Sequence, residues 1–506
     1  MKPDPKIVWL IRSGIVLLAC LVALFTSMPG VRETSNFEET MRDVLVRRAA
    51  KTVPEERLTL VDIDEESLSR LGPWPWPRGR VADLVEILLA SLHARAVALD
   101  MVFPEAGDPE GDARLAALAE HGPVVLAVAL DYMPRHPPLA EGFPGKGHAP
   151  NAQVPSVPAT GFVGNHARFR NARCVGNIGF IPDGDGVVRR LPLYSRLGEQ
   201  VFLHLSAELL ECARLGSPIT QLQRPGGGGQ WRVPYRRHPD SYTVLPAHAV
   251  LAEDVPRELV EGRLVLIGSS ALGLSDRVAT PLTASASGLY VHAAALSALL
   301  DGRSPGSNNL GAVLLTSWLG SSLVLWLLLL PRLTPWGGAA FLFAASLGWL
   351  ALAAWQLDLA LPLLPPFAAY LVLLAFAVPF EWWLARYEVT RLLSYFSHYV
   401  APAVLAELLK QPGQHFLEPR YREITVLNAD MEGYSRLTDT LSLEQAATLT
   451  REFLELLTRP VLAENATLDK YTGDGLVAFW NAPLPCPQHA ERAVRAALAI
   501  HAAVAE

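Results

Sequence analysis

Four long apolar runs limit what this chain can fold into. The first is IVWLIRSGIVLLACLVALFTSM (7–28); runs at 310–330, 336–355 and 359–380 follow a long middle segment. Each is close to the ~20 residues that let an α-helix cross a ~30 Å hydrocarbon layer. A segment in lipid must satisfy its own backbone hydrogen bonds, and a helix does so. Arg12 lies near enough to one end to snorkel. Pro29 and Gly30 follow the first run without an A-x-A-like site, so an uncleaved anchor is expected in place of a removed signal. Hydrophobic residues are 50% and charged residues 18%, with the apolar ones gathered into these runs, as in a membrane protein with soluble parts. Pro365 and Pro366 interrupt the last run; a kink tolerated by a packed bundle is the expectation, a signalling hinge the alternative.

Charge sets an expected orientation. Lys2, Lys6 and Arg12 accompany the short N-terminal segment 1–6, Arg332 sits in the second connector, and Arg386 and Arg391 follow the last run, whereas Asp358 occupies the third connector. The positive-inside rule puts both termini in the cytoplasm of a multi-pass protein of the inner (plasma) membrane. Residues 31–305 are then extracytoplasmic. The net charge of −7 includes no basic block, so no nucleic-acid partner is expected. Cys174 and Cys212 are the pair able to share a compartment, as a disulfide or as two buried thiols.

In 31–305, strand-like and helical patterns alternate. LTLVDID (58–64), AVALDMVF (96–103) and RLVLIG (263–268) read as buried strands and VADLVEILLASLHA (81–94) as an amphipathic helix, which together predict a mixed α/β domain. GPWPWPR (72–78) must be extended or turned. Asp62, Asp64 and Asp100 end predicted strands, where ligands of α/β sheets often bind; capping of the following helices is the simpler reading of each. GGGG (226–229) reads as a surface loop. The stretches VDIDEESLSRLGPWPWPRGR, VALDMVFPE, IPDGDGVVRRLPL (181–193) and LVLIGSSALGLSDRVATPL leading to GLYVHA (288–293) occur in an order that resembles the CHASE2 family of extracytoplasmic sensor domains. The resemblance covers most of 35–300 and implies a sensor followed by three spans, with an unidentified extracytoplasmic ligand.

Past the last run, 384–413 reads as a helical signalling connector broken at Pro402. Its Leu392, Leu393, Tyr395, Phe396 and Tyr399 recur at helical spacing, as in a parallel dimer seam. EITVLNADM (423–431) reads as a buried central strand that delivers Asp430. A helix start follows at Gly433 and Tyr434, then a long helix whose core face holds Leu449, Phe453, Leu456, Leu457 and Val461. ATLDKY and LVAFW flank TGDG, a hairpin with Asp474 in its turn. Lys470 lies four residues before Asp474, which on a regular strand directs both to a similar side. Two carboxylates suit hard cations such as Mg²⁺ or Mn²⁺, and N–H groups opening a helix suit a polyphosphate, although an Asp in a turn is more often simple turn chemistry.

EITVLNADMEGYSRLTDTLS and LDKYTGDGLVAFWNAPLPCPQHAERAVRAALAIH resemble the catalytic domain of class III nucleotide cyclases over 421–506. The resemblance implies an α+β, ferredoxin-like domain that turns ATP into cyclic AMP and pyrophosphate. Asp430 and Asp474 would hold two Mg²⁺ or Mn²⁺ ions with the main-chain carbonyl of Met431, and Lys470 would select adenine. The domain would work as a homodimer formed through connector and cyclase domain. The family's second purine contact and its Asn and Arg pair lie beyond the HAERAVRAAL helix, inside which the sequence ends. The expectation is an incomplete cyclase domain, with little or no turnover by these 506 residues alone. A guanylate cyclase, or a non-catalytic membrane sensor and dimerisation protein, are the alternatives.

Overall fold

The computed structural model describes residues 4–28, 36–149, 155–215, 229–274, 277–302, 309–329, 334–396, 421–482 and 485–505. The chain divides into two compact units, Met1–Ala377 and Val378–Glu506.

In the first unit, α1 (Pro5–Ser27) opens at an Asp4 cap, and α2 (Asn36–Ala49) leads into the soluble part. There follow β1 (Glu55–Ile63), α3 (Glu65–Leu71), α4 (Arg78–Glu86), β2 (Ala96–Leu99), α5 (Pro109–His121), β3 (Val124–Asp131), β4 (Cys174–Asn177), α6 (Leu205–Cys212), β5 (Tyr242–Pro246), β6 (Leu264–Ser269) and α7 (Gly288–Leu300). The strands form a parallel sheet in the order β5-β1-β6-β2-β3-β4, with the short strand Gly161–Val163 antiparallel to β3. A parallel sheet is covered on both faces, which explains strands that are apolar at nearly every position. Leu58, Leu60, Ala98 and Val125 face α6 and α7, whereas Val61, Val97, Leu99 and Leu126 face α4 and α5. Each fully buried Val or Leu contributes about 1.5–3 kcal/mol. α7 is apolar all round because it is buried within this domain. A disulfide joins Cys174 of β4 to Cys212 at the end of α6, with Cα atoms 6.1 Å apart, settling the open cysteine reading.

Local reading misplaced three features here. The helix expected over 81–94 begins at Arg78 and gives way to a π-helical turn, Ile87–Ser91. The Asp108 carboxylate accepts from the N–H groups of Arg78 and Gly79, and this start signal lies thirty residues away in sequence. Asp64 does cap α3, accepting from Ser67 N at 2.8 Å. Asp62 and Asp100 do not cap: Asp62 accepts from Ser270 N and Oγ at 2.7 and 2.5 Å, and Asp100 meets His292. Of GGGG, only Gly229 lies within the described residues, and Lys2 and the connector around Arg332 lie outside them.

α2 ties the sensor to the apolar helices. Its Asp43 accepts from Arg189, which is 2% exposed and also bonds Asp183 and Asp185 of the DGDG stretch. Its Glu39 accepts from Arg190 at 2.6 Å and from Arg232. Arg42 donates to Leu361 O at 3.0 Å, while Met41 and Leu45 pack against a cluster containing Trp349 and Leu361.

The apolar helices of this unit continue with α8 (Asn309–Leu329), α9 (Pro335–Trp355) and α10 (Leu364–Val372), the last passing into a π-helical turn at Leu373–Ala377. Ala19 and Ala23 of α1 share a cluster with Ala369 and Tyr370, where small residues permit close approach. The prolines are corrected: Pro365 and Pro366 occupy the first turn of α10, where a missing N–H costs no hydrogen bond, so they start the helix and do not interrupt it. The expected span 359–380 accordingly shifts to Leu364–Tyr387. Four helices, Pro5–Ser27, Leu310–Leu329, Pro335–Trp355 and Leu364–Tyr387, are long and apolar enough to cross a membrane.

The second unit starts with α11 (Val378–Phe396); Tyr399 and Pro402 of the expected connector lie outside the described residues. β7 (Thr425–Ala429), α12 (Tyr434–Thr438), α13 (Leu443–Ala463), β8 (Thr467–Thr472), β9 (Gly475–Trp480) and α14 (His489–Ala505) follow. The three strands form an antiparallel sheet in the order β7-β9-β8. A Ser442 and Gln445 capping box starts α13. Leu457 and Val461 of α13 and Ala493, Ala496 and Ile500 of α14 cover one sheet face at Leu476, Ala478 and Trp480. Leu456 is corrected: it sits about 100° around the helix from Leu457 and is 38% exposed, and Leu454 packs against the core instead. β7 is corrected too. Among the described residues it is an edge of this sheet, and Val426 is 56% exposed because helices cover only one face.

Candidate functional site

β7 and β9 place the two expected metal ligands side by side. Ala429 pairs with Leu476 in the antiparallel ladder, so Asp430, one residue on, comes opposite Gly475, the neighbour of Asp474. Gly475 is buried, and a Cβ there would lie 2.8 Å from Asp430 Oδ1 and 2.4 Å from Ala429 O. Only glycine lets the Asp430 carboxylate rest against this strand; local patterning assigns that residue to turn formation alone. Asp474 occupies the second position of the two-residue turn between Thr472 and Gly475, and Gly473 takes the first at φ 73°, where a hairpin turn with Gly leading requires a positive φ.

Asp430 is exposed and Asp474 half-buried, so both carboxylates remain open to solvent and ligand. Met431 is half-buried beside Asp430. Among the described residues no group of three or more His, Cys, Asp or Glu side chains is placed to hold an ion. Two carboxylates and a main-chain carbonyl are nevertheless an all-oxygen set, which fits Mg²⁺ or Mn²⁺ when substrate phosphates complete the shell.

The other expected residues are arranged less simply. Gly433 is exposed at φ 76° and caps α12, which lasts only Tyr434–Thr438, so its dipole is that of little more than one turn. The Tyr434 hydroxyl is 2.6 Å from Thr450 Oγ1, which pins this turn to α13. Lys470 is exposed on β8, its Nζ 3.9 Å from Asp469 Oδ2. Pairing slips between Leu468 and Lys470, leaving Asp469 at a bulge. Regular strand spacing therefore does not relate Lys470 to Asp474, because Asp474 belongs to the turn and not to the strand that carries Lys470.

The first unit holds a second group of polar side chains that strand-end reasoning found only in part. Asp100 Oδ1 is 3.2 Å from Nε2 of His292, which is 1% exposed, and the His204 ring lies 4.9 Å from that of His292. Burial lowers the His204 pKa well below the usual histidine value, with the neighbouring His292 adding to the effect, so His204 is neutral. Sequence offered His292 only within the GLYVHA motif, with no role attached.

Comparison with known proteins settles the identity of the first unit. The CHASE2 domain model matches residues 15–334. The chain belongs to the CHASE2 family. CHASE2 is an extracytoplasmic domain, and the Cys174–Cys212 disulfide suits such a compartment. This CHASE2 chain is also 32% identical over 79 residues to "Adenylate cyclase 1" of Rhizobium meliloti (strain 1021), a stretch covering 16% of the chain. The chain thus spans about an eighth of that curated relative, 12% of its length.

Proposed function

We propose that this CHASE2 protein is a sensor-regulated membrane adenylate cyclase that converts ATP to cyclic AMP and pyrophosphate. The carrying observation is the placement of Asp430 opposite Gly475 and beside Asp474 on paired strands. The similarity to an adenylate cyclase supports the same reading. In it, both termini are cytoplasmic, 31–305 lies outside, and the second unit works as a homodimer. Asp430, Asp474 and the Met431 carbonyl hold two Mg²⁺ or Mn²⁺ ions. When bound, these supply positive charge that lowers the pKa of the ribose 3′-hydroxyl and offsets charge on the phosphoryl group. The exposed Lys470 reads adenine, and the Gly433 and Tyr434 N–H groups meet the polyphosphate. The 3′-oxygen replaces pyrophosphate on the α-phosphorus.

The test uses membranes from cells expressing the gene from its native start to its native stop, supplied with ATP and Mn²⁺. Cyclic AMP formation is expected, with a loss of at least about a hundredfold in both Asp430→Ala and Asp474→Ala, since charge stabilisation by bound metal is worth several kcal/mol. Absence of cyclic AMP from the wild-type membranes, or variants as active as wild type, refutes the proposal.

A further inference from the structure

The sensor contains a cleft that nothing above uses. It lies outside the carboxyl ends of β1, β6, β2 and β3, where open parallel sheets bind ligands. Its volume is about 380 Å³, within the range of small-molecule sites. Trp74, Met101, Ile178 and Phe180 give it an apolar and aromatic wall, and Asp100 and His292 add polar groups. Trp74 comes from the proline-rich stretch 72–78, and its ring is half-buried against Trp76 at 5.8 Å.

The electrostatics are one-sided. Asp100 is the acidic residue in the wall, and no lysine or arginine is among the described residues that line it. The Asp100 side chain stays 14% exposed while Oδ1 meets His292 Nε2. The other ring nitrogen, Nδ1, is buried without a hydrogen-bond partner among the described residues, and a buried polar atom left unpaired calls for a physical reason, of which a bound ligand, water or ion is one. A carboxylate set among aromatic faces suits a protonated amine, which gains an ion pair from the one and cation–π attraction from the others. A carboxylate or phosphate ligand would meet Asp100 with no compensating cation.

We propose that this cleft is the ligand site of the sensor and that it takes a small organic amine, with the ammonium on Asp100 and an apolar or aromatic body between Trp74 and Phe180. The binding site also has a route out of the domain. Ser287 and Gly288 line the cleft at the start of α7, the same helix carries His292, and α7 ends at Leu300, nine residues before α8 begins. This inference stands apart from the cyclase reading, since it concerns binding by the first unit alone.

The test uses the full chain purified in detergent and three probes of one shape: 2-phenylethylamine, 2-phenylethanol and phenylacetate. Saturation-transfer NMR and calorimetry should give saturable binding with the amine tightest and the acid weakest. Asp100→Asn keeps the shape and an oxygen for His292, and should weaken the amine by about tenfold or more, as expected for loss of a charge-assisted contact, while leaving the alcohol nearly unchanged. Ile178→Trp fills the cleft and should remove binding of all three, which tests the location if Asp100→Asn fails to fold. Lack of saturable amine binding, an acid that binds as well as the amine, or amine affinity unchanged in the folded variants overturns the proposal.

Discussion

Replacing Arg189 by methionine tests how the sensor is held to α2. The guanidinium is 2% exposed; Nη2 lies 2.7 Å from Asp43 Oδ2 and 2.8 Å from Asp185 Oδ2, and Nη1 lies 3.0 Å from Asp183 Oδ2. Methionine fills much of the volume but leaves the Asp43 carboxylate, 8% exposed, without this cation. Breaking a buried pair from one side costs about 3–5 kcal/mol. By contrast, Arg459→Met disrupts a pair with Glu455 in which the side chains are 77% and 59% exposed, and should cost less than about 0.5 kcal/mol. Hydrogen exchange read by mass spectrometry on peptides covering 36–49 and 183–193 is the assay. Opening should be roughly a hundredfold or more easier in Arg189→Met, and Asp43→Asn in the same chain should recover part of the loss. The network also has a pH sign. The hydrogen bond from Arg189 holds the Asp185 carboxyl below its usual range; burial raises Glu39, but Arg232, Arg190 and Arg42 outweigh it and bring it down. A depressed carboxyl pKa stabilises the fold above the unfolded value, near 4, and that contribution is lost as pH falls through the folded value. Protection should therefore be level from neutral pH to about 5 and decline below about 4. Exchange in Arg189→Met within about threefold of wild type would refute the reasoning, since that corresponds to well under 1 kcal/mol.

Four further outcomes are expected. Gly475→Ala should cost about 1–3 kcal/mol of stability in the second unit and weaken Mn²⁺ binding measured by paramagnetic resonance, because the new methyl meets Ala429 O and Asp430 Oδ1; unchanged Mn²⁺ affinity would argue against Asp430 as a ligand. Serine at both Cys174 and Cys212 opens a loop of sequence separation 38, worth about 4 kcal/mol of chain entropy, and should lower the sensor's thermal midpoint by several degrees. Lys470→Glu should reduce use of ATP relative to GTP in the natively terminated gene product, and an unaltered preference would count against Lys470 as the adenine contact. Cys486, a free thiol, should react with a membrane-impermeant maleimide in inverted vesicles and not in intact cells if the C-terminal unit is cytoplasmic.

The buried strands of the first unit were legible because burial on both faces leaves an unmistakable apolar run, as in LTLV of β1, and the long apolar helices were legible for the same reason on a longer scale. What local patterning missed was set by distant partners. The start of α4 depends on Asp108, the roles of Asp62 and Asp100 depend on Ser270 and His292, and the solvent-facing side of β7 depends on which face the helices cover. Asp430 and Asp474 could be singled out by chemistry and resemblance, but the reason for Gly475 appeared only once β7 and β9 were paired. The prolines of the last span were misread because their effect depends on where the helix begins, and the apolar run conceals that point.

The position of α2 bears on how such sensors can be exchanged between proteins. Because Glu39, Asp43 and Arg42 bind Arg190, Arg189 and the Leu361 carbonyl, the natural cut for a chimera falls before residue 36, not at the first strand. A graft joined at Glu55 would pair a foreign collar with a native domain and leave its arginines facing the wrong acids, whereas one that carries 36–49 along takes its own fastening with it.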